Sequence, residues 1–117
     1  MQLDLQQATI YLATDSPDFR KQIDGLVTII VESFSAKINE GIFVFINRRR
    51  NKAKIIFWHK NGFAMLYKRL EKNKFTLIKD PSGIFTMSEQ QFEWLLNGYD
   101  WVNMSEMNTP NFDMLYQ

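Results

Sequence analysis

Asn61-Gly62, set between the apolar runs Ala53–Lys60 and Phe63–Leu70, is the feature that most limits the folds open to this chain. Asn-Gly suits the left-handed backbone of a two-residue hairpin turn, and the flanking β-branched and aromatic residues supply two strands. With that loop, Lys60 faces Phe63, Trp58 faces Met65, Ile56 faces Tyr67 and Lys54 faces Arg69 on one side of the ribbon. His59, Phe57, Ile55 and Ala53 share the other side with Ala64, Leu66, Lys68 and Leu70. This second side is the smoother apolar surface and the expected seat of the helices.

The neighbouring segments extend the ribbon. Ile42–Ile46 reads as a strand and Arg48–Lys52 as its polar loop. Glu71-Lys72-Asn73 reads as a turn with Asn73 left-handed, and Lys74–Ile78 as the last strand of a four-stranded antiparallel meander. Upstream, a short N-terminal strand is expected at Thr9–Ala13. Asp15-Ser16-Pro17-Asp18 then offers helix-start signals, and Phe19, Ile23, Leu26, Val27, Ile30, Val31 and Phe34 recur at helical spacing. The spacing predicts an amphipathic helix over residues 18–34. Downstream of the turn Asp80-Pro81-Ser82-Gly83, Ser88 with Gln91 forms a capping box and Met87 with Phe92 a staple. Gly98 ends that second helix. The expected fold is α+β, with the meander carrying two main helices on one face. Residues 1–101 form the domain and residues 102–117 an acidic tail.

The length of 117 residues fits a single core. Having no Cys and a single histidine, His59, excludes a disulfide framework, a thiolate metal site and a multi-His zinc site. No apolar run approaches the roughly 20 residues of a membrane span. The N-terminus lacks the basic-then-apolar pattern of a signal peptide, so a cytoplasmic location is expected. There is no phosphate-binding glycine loop, nucleophile elbow or paired-carboxylate motif. No catalytic residue, metal ligand or cofactor is therefore assigned, and the chain reads as a non-enzyme.

Charge is the sharper signal. The formal total is +1, but residues 44–79 hold eleven Lys and Arg against Glu71 alone, a local +10. Residues 1–43 carry −3 and residues 80–117 carry −6. Such asymmetry points to a polyanionic partner, unless the flanks fold back and neutralise the middle. The candidate nucleic-acid contacts are Arg48, Arg49, Arg50, Lys52 and Lys54 around one loop, with Lys68, Arg69, Lys72 and Lys74 around the next turn. Arginine suits phosphate oxygens because its planar guanidinium presents two parallel donors. Arg20, Lys21, Trp58 and Tyr67 are secondary candidates, the rings as stacking surfaces and the cations as further contacts.

Several ordered blocks carry a resemblance. Asp18-Phe19-Arg20-Lys21, Asp24-Gly25-Leu26, Ile42-Phe43-Val44-Phe45 and Asn47-Arg48-Arg49-Arg50 are similar to the Orf2-like TnpB accessory proteins of IS66-class insertion sequences. Lys54-Ile55-Ile56-Phe57-Trp58, Asn61-Gly62-Phe63, Leu66 to Glu71 and Leu95 to Trp101 continue the likeness in order. The resemblance implies a bacterial mobile-element protein that assists transposition beside a separate transposase. The resemblance gives a role without a mechanism, and the basic sheet end makes DNA at the element ends the expected partner. The alternative is a protein-interaction module that bridges the transposase or other element-encoded proteins.

Overall fold

A computed structural model of the chain describes residues 8–34 and 38–105. Its elements, in chain order, are β1 (Thr9–Ala13), α1 (Ile23–Ser33), β2 (Gly41–Ile46), β3 (Lys52–His59), β4 (Gly62–Arg69), β5 (Ile84–Met87) and α2 (Glu89–Leu96). A 3-10 turn at Trp101–Asn103 follows.

The strands form one five-stranded sheet in the order β4-β3-β2-β1-β5. β1 runs parallel to β2, Tyr11 pairing with Phe43, while the other neighbours are antiparallel. A parallel pair needs a crossover, and α1 supplies it. The α+β class holds, but the four-stranded antiparallel meander is corrected to a mixed sheet. β1 is an interior strand, and the expected strand Lys74–Ile78 does not form. Instead the chain leaves β4 at one edge and must reach β5 at the other. It crosses the sheet face, burying Phe75 and packing Leu77 and Ile78 on the core. The Trp101 indole N–H donates to the Thr76 carbonyl at 2.7 Å and fixes the crossing.

The two helices lie on opposite faces, which corrects their expected placement on one. β2 shows why: all six of its residues are buried. Ile42, Val44 and Ile46 join Ile10, Leu12, Ile55, Phe57, Phe92 and Leu95 in one core. Phe43 and Phe45 join Leu26, Ile30, Phe34 and Ile56 in the other. Side chains alternate across a strand, so a strand apolar at successive positions needs a cover on each side.

The β3–β4 loop is Lys60-Asn61 rather than Asn61-Gly62. His59 pairs with Gly62, Trp58 with Phe63, Ile56 with Met65 and Lys54 with Tyr67. The shift sets Trp58 edge-on to Phe63, ring centroids 5.0 Å apart. It also places Lys54 opposite Tyr67 and Lys52 opposite Arg69. Face membership is unchanged by the shift, because each residue keeps its parity. Lys60 takes φ 57 to make the turn.

α2 forms as its signals predict. The Gln91 backbone N–H donates to Ser88 Oγ at 3.1 Å, and the Ser88 N–H donates to Gln91 Oε1 at 2.9 Å. Gly98 turns the chain at φ 77. α1 begins at Ile23, five residues later than the spacing predicts, and no side chain caps it. Asp18 serves a local turn instead: its Oδ1 accepts from the Arg20 backbone N–H at 2.9 Å, and its carbonyl from the Lys21 N–H at 3.1 Å. Core packing continues through Trp101 and Met104. Most of the expected tail, residues 106–117, lies outside the described residues. Among the described residues no helix is long and apolar enough to cross a membrane.

Candidate nucleic-acid interface

The β2–β3 connection is built on Asn47. Its side-chain oxygen accepts from the Asn51 and Lys52 backbone N–H groups, both at 2.9 Å, and its amide donates to Asn51 Oδ1 at 2.8 Å. The Arg50 N–H donates to the Asn47 carbonyl at 2.9 Å and closes the turn, with Arg50 left-handed at φ 62. A short polar side chain thus replaces several backbone pairings and holds Arg48, Arg49 and Arg50 out in solvent.

The end of β4 and the next turn dock against this loop. The Leu70 N–H donates to the Asn51 carbonyl at 2.8 Å and the Phe75 N–H to the Arg50 carbonyl at 2.7 Å. Lys52 pairs with Arg69 across the ladder. Lys72 is exposed in the turn, and Lys74 donates to the Arg49 carbonyl at 3.2 Å. Arg48, Arg49, Arg50, Lys52, Arg69, Lys72 and Lys74 therefore gather at one end of the sheet. Among the described residues the ion pairs Arg20–Asp18 and Arg69–Glu71, at 2.6 and 2.7 Å, leave the three loop arginines out.

Two further candidates bond backbone carbonyls, Lys54 from a buried position and Lys68 in an exposed contact. Lys54 is buried at 5% exposure. Its ammonium donates to the Phe19 and Lys21 carbonyls at 2.8 and 2.7 Å and lies over the Phe19 ring at 5.0 Å from the centroid. Desolvation, then the nearby Lys52 charge, lowers its pKa from 10.5. It is withdrawn as a phosphate contact. Lys68, exposed, donates to the Leu96 carbonyl at the end of α2 at 2.7 Å. A cation there satisfies an orphan carbonyl and complements the negative helix end.

The secondary candidates divide. Arg20 is held by Asp18, whose carboxyl is kept well below its ordinary value by the Arg20 guanidinium and backbone N–H. Lys21 is exposed near Lys54 and shields Gly25, where a Cβ would come within 3.1 Å of the Lys21 stem. Tyr67, 50% exposed, lies opposite Lys54 near the basic end. Trp58 lies near the other end of the hairpin, its indole N–H bonded to the Lys60 carbonyl, so it does not share the cluster.

One cation of this region went without a role in the sequence reading. Lys79 lines a cleft of about 670 Å³ with Arg48, Arg50, Thr14, Asp15 and Asp80. No spacing rule links these residues, because β1, the β2–β3 loop and the segment before β5 meet only through the sheet order. Arg49 does not line the cleft, so the structure divides the three arginines between two surfaces. Among the described residues no group of three or more His, Cys, Asp or Glu is placed to hold a metal ion.

A family model described as IS66 Orf2-like protein matches residues 8–106. An uncharacterized protein of Sinorhizobium fredii, y4jC, is 33% identical over 96 residues, covering 81% of this chain and 82% of the relative. A second, y4hO, is 27% identical over 106 residues, covering 90% and 92%. No solved structure matches the chain.

Proposed function

Because the chain belongs to the IS66 Orf2-like family, insertion-sequence proteins that act as accessories to transposition, we propose that it does so by binding DNA through the basic sheet end. One observation carries this reading. Arg48, Arg49, Arg50, Lys52 and Lys72 meet at one end of the fold, and among the described residues no ion pair occupies them. Arg69 and Lys74 flank them, held loosely by Glu71 and a backbone carbonyl in exposed contacts that phosphate can displace. Contacts of this kind track the phosphate backbone and position the protein more than they read bases.

A salt series on element-end and scrambled duplexes tests it. Binding should weaken steeply with salt on both, and R48A/R49A/R50A should flatten the log–log slope by about 3. Binding that is undetectable at low ionic strength, or a slope unchanged by the triple variant, overturns the reading.

The outer edge favours a second role. β4 is the terminal strand of the sheet, and its residues 66–69 are exposed. An edge strand can add a strand from another protein, which fits bridging to the transposase or another element-encoded protein. Co-purification with the transposase after nuclease treatment and in high salt supports this role, and failure to co-purify under mild conditions removes it.

A further inference from the structure

The cleft that holds Arg48, Arg50 and Lys79 lies where the strand topology favours a ligand site. β1 and β2 are parallel, so their carboxyl ends, Ala13 and Ile46, face the same way. Residues following both ends line the cleft: Thr14 and Asp15 after β1, Arg48 and Arg50 after β2. In open parallel α/β sheets ligands bind in the crevice beyond the carboxyl ends of the strands, and the single parallel pair β1–β2 gives this mixed sheet one crevice of that kind. At about 670 Å³ it is in the size range of small-ligand sites.

The lining chemistry is selective. Arg48, Arg50 and Lys79 outnumber the carboxylates Asp15 and Asp80 around the cleft, and three donors converging on one point suit the several oxygens of a phosphate monoester. Asp80 is internally engaged: its Oδ1 accepts from the Ser82 N–H at 2.8 Å and the Ser82 hydroxyl at 2.6 Å. These bonds stabilise it as a carboxylate and hold its place at the rim. Asp15 is exposed and accepts only, so it suits a sugar hydroxyl or a base amino group. Thr14, 8% exposed, closes the β1 end, and its buried hydroxyl oxygen has no hydrogen-bond partner among the described residues. An anion subsite beside acceptors for neutral donors describes a nucleotide.

We propose that this cleft binds a nucleotide through its terminal phosphate monoester, with Arg48, Arg50 and Lys79 on the phosphate and Asp15 toward the nucleoside. The monoester belongs either to a free nucleotide or to the phosphorylated end of a DNA strand. The inference deepens the DNA-binding reading by giving the basic end a subsite distinct from its phosphate-tracking rim.

Titration of the full chain with deoxyadenosine monophosphate, followed by amide NMR, tests the site. The expected result is a saturable shift centred on Thr14, Asp15 and Lys79. Lys79→Gln should weaken it about tenfold, whereas Lys60→Gln, at the far hairpin, should leave it unchanged. Equal loss in both variants, or no saturable shift, overturns the cleft as a site. A 5′-phosphorylated oligonucleotide that outcompetes its 5′-hydroxyl form assigns the site to strand ends. Competition by the free nucleotide alone assigns it to a small-molecule ligand. Duplex binding lost on R48A/R49A/R50A but kept on Lys79→Gln, with no nucleotide shift, removes the cleft and leaves the rim reading standing. A nucleotide shift without duplex binding does the reverse.

Discussion

Lys54 and Phe19 are joined twice: the Lys54 ammonium donates to the Phe19 carbonyl at 2.8 Å and lies 5.0 Å from the centre of its ring. With the Lys21 carbonyl also bound at 2.7 Å, one buried cation takes two carbonyls that a helix over residues 18–34 would have paired internally. That is the physical reason α1 starts at Ile23. Removing the ammonium strands both carbonyls, and hydrogen bonds to charged groups are worth about 1.5–3 kcal/mol each. Lys54→Met should therefore destabilise the fold by about 3 kcal/mol or more in urea unfolding, with DNA affinity in the folded protein unchanged.

Asp18 gives the pH test. Its hydrogen bonds with Arg20 hold the carboxyl well below the ordinary 3.8. A depressed carboxylate contributes stability above its unfolded pKa, and that contribution is lost as pH falls through the folded value. The Asp18 side-chain carbon signal should stay ionised at about pH 3, where a free Asp is mostly protonated. Arg20→Gln should return its midpoint toward 3.8. The exposed pair should add little to global stability.

Arg50 and Lys60 both sit in the left-handed region, at φ 62 and 57. A side chain there costs about 1 kcal/mol relative to glycine. Arg50→Gly and Lys60→Gly should each raise the unfolding midpoint by a comparable amount. They should part on binding: Arg50→Gly loses affinity for DNA, and Lys60→Gly keeps it. A Lys60→Gly variant with no gain in stability would instead favour the Asn61-Gly62 loop.

Thr14 carries a buried hydroxyl oxygen with no partner among the described residues. Valine has nearly the same shape without the unmet polar atom. Thr14→Val should stabilise by about 1 kcal/mol, a rise of roughly 4 °C in thermal unfolding. A fall in stability would mean that the hydroxyl is satisfied in solution.

Much of the local structure was legible in the residues. The capping box at Ser88 and Gln91, the left-handed Asn73 and the stop at Gly98 each rest on contacts within a few positions. β5 was not legible, because Ile84–Met87 is a short run that becomes a strand only by pairing with β1, more than seventy residues earlier. Lys54 reads as a surface cation, since nothing nearby in the chain shows that Phe19 and Lys21 present carbonyls to it.

The amino-acid sequence by itself determined the class of the fold, the hairpin faces, the family and the concentration of +10 over residues 44–79. The class, the faces and the charge follow from periodicity, turn chemistry and counting, and the family from a resemblance over ordered blocks; none of these needs knowledge of distant neighbours. Only the tertiary structure decided which cations stay on the surface and where the cleft opens. Desolvation of a lysine and the meeting of Thr14, Arg48, Arg50 and Lys79 depend on long-range strand order. Burial and proximity belong to the packed chain, and no local pattern encodes them.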